Sequence, residues 1–111
     1  MKIWLDDLRP RPASYHIQVR SAKEAIGLLD LAVVDEISLD HDLGDIAVYG
    51  TGYDVACHIE EMAVRGTKPP IVHLHTANPV GRKAMAMAME SAWKRWEETN
   101  GHVNGMNGQE Q

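Results

Sequence analysis

The chain has 111 residues, enough for one domain with one core and too few for two. Hydrophobic residues make up 44% and charged residues 24%, the proportions of a folded globular chain rather than a disordered one. A net charge of −5 speaks against non-specific binding to DNA through a broad basic surface and leaves room only for a local basic pocket.

No apolar stretch reaches the length of a membrane-crossing helix, so no membrane association is expected. The run Met1-Lys2-Ile3-Trp4 meets two aspartates by position 7, which reads against a secretory signal. One cysteine, Cys57, can form neither an internal disulfide nor a thiolate zinc cage, and a reducing cytoplasm is the default compartment.

Lys2-Ile3-Trp4-Leu5 reads as a first strand ending at Asp6-Asp7. Pro10 and Pro12 keep the next stretch out of a regular helix, and His16–Arg20 alternates like a half-buried edge strand. Ser21 and Glu24 form a capping box before a helix whose apolar face is Ala22, Ala25, Ile26, Leu29 and Val33. Glu36–Leu39 is a central strand, followed by Asp40-His41-Asp42-Leu43-Gly44-Asp45 and a loop. Thr51 and Asp54 start a second helix with Val55, Ala56, Ile59, Met62 and Ala63 inward and Gly66 at its C-cap. Pro69-Pro70 precedes a last strand, Ile71–His75. Asn78 and Pro79 then open a final helix with Met85, Met89, Ala92, Trp93 and Trp96 on one side. Residues 1–98 are read as the domain and 99–111 as a flexible polar tail.

Strands alternating with helices imply a parallel sheet with right-handed crossovers, and ligands of such sheets sit beyond the carboxyl ends of the strands. Asp6-Asp7, Asp40-His41-Asp42 and His75-Thr76-Ala77-Asn78 all fall at those ends. Neighbouring strands lie about 4.8 Å apart, so four carboxylates there either meet a hard cation such as Mg²⁺ or hold a proton. Asp6, Asp7, Asp40 and Asp42 are the candidate metal ligands.

The Asn78-Pro79-Val80-Gly81-Arg82 segment reads either as an ordinary capped helix or as an anion site, where Arg82 adds a bidentate contact. His73 and His75 point to the same strand face; His73, lying deeper, is read as a core histidine. His75 and His41 either flank a bound phosphate, one as base and one as acid, or serve as structural hydrogen bonders. His16, His58 and His102 are read as surface residues.

Asp6-Asp7, Leu39-Asp40, Gly52 and Thr76-Ala77 resemble the response-regulator receiver domain. The chain departs from it in a Pro-rich loop where the first helix should be, an insertion between Gly44 and Gly52, and the lack of a fifth strand with its lysine. Asp6-Asp7-Leu8-Arg9-Pro10, Ser38–Gly44, Thr51-Gly52-Tyr53-Asp54 and His75–Gly81 together resemble a narrower family, the cyclic-phosphate-processing receiver-like domains, over roughly residues 1 to 97. This resemblance implies an α/β, three-layer, truncated flavodoxin-like fold with a four-stranded parallel sheet in the order 2-1-3-4. It also implies a bacterial or phage-infected host cytoplasm.

The resulting leading expectation is a Mg²⁺-assisted phosphoesterase acting on RNA 2′,3′-cyclic phosphate ends or cyclic nucleotides. Asp40, His41 and His75 would carry the chemistry, and Arg9, Thr76, Asn78, Gly81 and Arg82 would hold the phosphate. The alternatives are a non-catalytic module that binds a cyclic nucleotide or RNA end, and a degenerate receiver phosphorylated on Asp40. The short connection from Asp6 to His16 threatens to leave one sheet face uncovered, and an uncovered apolar face would favour a homodimer.

Overall fold

The computed structural model describes residues 1–101. Its elements are β1 (Lys2–Leu5), β2 (Ile17–Val19), α1 (Ala22–Leu31), β3 (Glu36–Leu39), α2 (Ile46–Tyr49), α3 (Gly52–Val64), β4 (Ile71–Leu74) and α4 (Pro79–Trp96). All four strands are parallel, in the order β2-β1-β3-β4, as the resemblance implied.

The register positions the site. Leu5 pairs with Val19 on one side and Leu39 on the other, and Leu39 pairs with Leu74. The ladder runs one step beyond the strands: Asp6 N–H donates to Val19 O at 3.1 Å, Asp40 N–H to Leu5 O at 3.0 Å, and His75 N–H to Leu39 O at 3.0 Å. Asp6, Asp40 and His75 therefore stand in one row at the carboxyl edge of three neighbouring strands.

Side chains alternate across a strand, so Ile3, Leu5, Ile37 and Leu39 share one face and are fully buried. Ala25 and Leu29 of α1, Val55 and Ile59 of α3, and Met85 and Ala92 of α4 complete that core. Ser21 caps α1 by accepting the Glu24 N–H at 3.2 Å, and Asp54 accepts the Thr51 N–H at 2.9 Å at the start of α3. Gly66 ends α3 with a φ of 97°.

The opposite face carries Trp4, Ser38 and His75, and the Pro-rich segment forms its covering layer in place of a helix. Trp4 Nε1–H donates to Arg9 O at 3.0 Å, and Gln18 Nε2–H donates to both Asp6 O and Arg9 O. The Tyr15 ring meets Trp4 edge-on at 5.3 Å, and its hydroxyl donates to Glu36 Oε2 at 3.0 Å. The short crossover thus succeeds by exchanging helical hydrogen bonds for side-chain bonds to its own carbonyls. The premise behind the expected homodimer, an apolar uncovered face, does not hold, since Lys2, Glu36 and His73 occupy its open part.

Other expectations need correction. Val33 lies past the end of α1 and is exposed, not on its buried face. His73 is not a core residue: β4 is an edge strand, and the His73 side chain is 54% exposed and paired with Glu36 at 3.1 Å. His58 is no isolated surface residue, because its Nε2 meets Asp30 Oδ1 at 2.7 Å and ties α3 to α1. The loop after Gly44 contains the four-residue helix α2. Residues Glu97–Gly101 continue α4 as a π-helical turn, and the rest of the expected tail, with His102, lies outside the described residues.

Candidate active site

Asp6 is the most buried charged group of the chain's carboxyl edge, at 1% exposure. Its Oδ1 accepts the Leu8 and Arg9 N–H groups, both at 2.8 Å, and its Oδ2 faces His75 Nε2 at 2.9 Å. Burial pushes the Asp6 carboxyl up, but these bonds and the nearby imidazole outweigh it and hold the group below the ordinary aspartate range. A buried carboxylate with three donors is anchored in its ionised form.

Asp40 has the opposite balance. Burial and the Asp6 charge raise it, against the His41 N–H, which donates to Oδ1 at 2.9 Å, and weaker help from His75 and the Thr76 hydroxyl. Two acids of one edge are thus pushed apart, Asp6 down and Asp40 up. That is the electrostatic mark of a site short of positive charge.

His75 is wedged rather than free. Its Nδ1 lies 2.7 Å from Ser38 Oγ, its Nε2 is engaged by Asp6, and its ring stacks on Trp4 at 3.9 Å with an interplanar angle of 4°. Ser38 and Trp4 support the site, and sequence reading assigned them no role. Their signal was available only as a register: both share the sheet face on which His75 lies. His41 hangs between α4 and the loop. Its Nδ1 lies 2.9 Å from Asp42 Oδ1, and its ring packs on Gly81, where a Cβ would overlap it. The His41 bond draws the Asp42 carboxyl down, against the effect of burial and with help from Asn78.

An open cleft of about 350 Å³ lies above this row. Asp6, Asp7, Arg9, Asp40, Asp42, Thr76 and Asn78 of the expected site all line it. Arg9 donates to His75 O at 3.2 Å at its rim. Arg82 is turned onto the loop behind, where it donates to Thr76 O at 2.9 Å. The start of α4 is already capped: Gly81 N–H donates to Asn78 Oδ1 at 3.0 Å and Arg82 N–H to Asn78 O at 2.9 Å. The expected helix-end anion cradle is therefore narrower than its sequence suggests.

One ligand atom each from Asp6, Asp40 and His75 can be chosen with all three within 4.8 Å of one another. The two carboxylates suit a hard divalent cation, and the raised Asp40 is the repulsion such an ion would relieve. Asp7 and Asp42 stand on the cleft wall outside that trio. No helix among the described residues is long and apolar enough to cross a membrane.

A four-stranded parallel sheet with its acids clustered at the carboxyl edge defines a receiver-like fold. The family model for the cyclic-phosphate processing receiver domain matches residues 1–91, and the chain belongs to that family. No curated protein and no solved structure matches it at a significant level.

Proposed function

We propose that the protein opens a cyclic phosphodiester by water attack, on an RNA 2′,3′-cyclic phosphate end or a cyclic nucleotide. The observation that carries this reading is the row of Asp6, Asp40 and His75 beneath a cleft whose far wall offers Thr76 and Asn78. The family's name points to the same class of ligand.

Asp6 and Asp40 would hold a divalent cation, Mg²⁺ by their chemistry, with Asp7 and Asp42 reaching it through water. Such an ion supplies positive charge at the phosphoryl oxygens and a more acidic water. In the reaction a water oxygen bonds to phosphorus and one ring P–O bond breaks, leaving a phosphomonoester and a neighbouring hydroxyl. His41, oriented by Asp42, takes the water proton and returns one to the leaving oxygen. His75, with both nitrogens engaged, acts through Asp6 by fixing its carboxylate. Thr76, Asn78 and Arg9 face the anion, while Gly81 gives His41 its space and Arg82 braces the Thr76 carbonyl. The compartment in this reading is a cytoplasm, consistent with one unpaired thiol.

Incubation with nucleoside 2′,3′-cyclic phosphates and Mg²⁺, followed by ³¹P NMR, tests the proposal. Conversion to monoester that is lost in Asp40→Asn and His41→Ala supports it; absence of product, or undiminished product in both variants, removes it. The engagement of both His75 nitrogens favours a second reading, a module that binds the cyclic phosphate without turnover. Calorimetric binding with no product would select that reading.

A further inference from the structure

The insertion between β3 and α3 presents side chains that the core does not use. Helix α2 buries none of its residues: Ile46 and Val48 are about two-thirds exposed, and Tyr49 is 45% exposed. It is nonetheless a defined unit. Asp45 accepts the Ala47 N–H at 3.0 Å, and Gly52 N–H donates to His41 O at 3.0 Å, closing the loop at its base. Gly44 and Gly50 on its two sides have φ values of 96° and 69°, which other residues rarely adopt.

The direction of Tyr49 is set by Gly44. A Cβ built on Gly44 would lie 3.4 Å from Tyr49 Cδ2 and 3.9 Å from Asp7 Oδ2. The tyrosine ring and the carboxylate thus approach the same glycine, and both Asp7 and Gly44 line the cleft. Leu8, 82% exposed, lines it beside Asp7. The acidic cleft therefore runs directly into an apolar lip with an accessible aromatic ring. A bare phosphate gains nothing from such a lip. A flat heteroaromatic ring on the same ligand gains a stacking surface.

We infer that Tyr49 is a stacking platform for the base of a nucleoside cyclic phosphate, so that the ligand is base-bearing. This rests on the cyclic-phosphate reading above. Stacking tolerates any base, because each has a π-face, so the platform selects nucleotides over base-free cyclic esters and discriminates little among sequences.

The test compares adenosine 2′,3′-cyclic phosphate with methyl riboside 2′,3′-cyclic phosphate, a base-free five-membered cyclic ester that keeps the sugar. Both are titrated by NMR in Mg²⁺ into the wild type and into Tyr49→Ala, Tyr49→Phe and Tyr49→Trp. Tyr49→Ala is expected to weaken the adenosine ligand about tenfold or more while leaving the base-free ester unchanged, with Phe and Trp retaining affinity. Because Tyr49 lies outside the core, its variants are expected to stay folded, which their melting temperatures check. Unchanged adenosine affinity in Tyr49→Ala, with the base-free ester still bound, overturns the platform and leaves the cyclic-phosphate reading standing. Failure of the wild type to bind either ligand overturns both. Loss of self-association in Tyr49→Ala, seen by light scattering with nucleotide affinity intact, would assign the lip to a protein contact instead.

Discussion

His75 Nε2 lies 2.9 Å from Asp6 Oδ2, although the two residues are 69 positions apart in the chain. The pairing crosses β3, which separates their strands in the sheet. Ser38 on the intervening strand holds the other nitrogen. One imidazole therefore fixes the buried acid at the cleft floor and reports whether three strands are in register.

Asp6→Asn removes an ionised acceptor from three donors and should destabilise the fold by about 1–3 kcal/mol at neutral pH. The Asp6 carboxyl is held down, so its stabilisation is complete above the ordinary value of 3.8 and is lost as pH falls through the lower folded value. Urea unfolding across that range should show the gap between variant and wild type narrowing toward acid. A gap that is constant with pH would contradict the assignment.

Asp40→Asn should act in the other direction. The Asp40 carboxyl is raised by burial and by Asp6, so its ionisation opposes folding. The penalty is absent below 3.8, grows as pH rises through the folded value and is constant above it. The amide variant should therefore melt higher than the wild type at pH 7 and at the same temperature in strong acid. Mg²⁺ should raise the wild-type melting temperature and have little effect on the variant.

Gly52→Ala and Gly27→Ala form a contrasting pair. A Cβ on Gly52 would overlap the Asp40 carbonyl oxygen, which is backbone and cannot turn aside, and a loss of about 2–4 kcal/mol is expected. A Cβ on Gly27 meets nothing within 4 Å inside α1, so that change should stabilise by about 0.5–1 kcal/mol. Chemical denaturation of the two variants measures both.

Gly81→Ala should separate folding from function. The new methyl would overlap the His41 ring, a side chain that can swing away. Stability should fall by about 1 kcal/mol, while turnover or ligand affinity falls much further. The His41 ring signals in NMR should shift more than those of His75, and unshifted His41 signals would refute the contact.

The fold was legible because its signals are local and repeated. Ser21, Asp54 and Asn78 announce three helix starts by side chains that reach backbone N–H groups within three residues. The edge acids were legible from the general rule that ligands gather beyond parallel strand ends. Less local features were hidden. The wedge of His75 between Ser38 and Asp6 depends on register across three strands, which no single segment encodes. His73 was misjudged because depth along a strand says nothing about the missing neighbour on its open side. Four-residue α2 is too short to show a helical period and stands on the Asp45 cap and its own turn bonds.

The sheet ends on β2 at one side and β4 at the other, strands of three and four residues. Rows of unmatched amide and carbonyl groups invite foreign strands to zip on, and proteins prone to that become fibrous. Here the invitation is brief. Pro69-Pro70 stands immediately before β4, so that border cannot be lengthened backward by a regular ladder. A foreign strand meeting either border finds only three or four residues to pair with, too short a template for a lasting cross-molecular sheet.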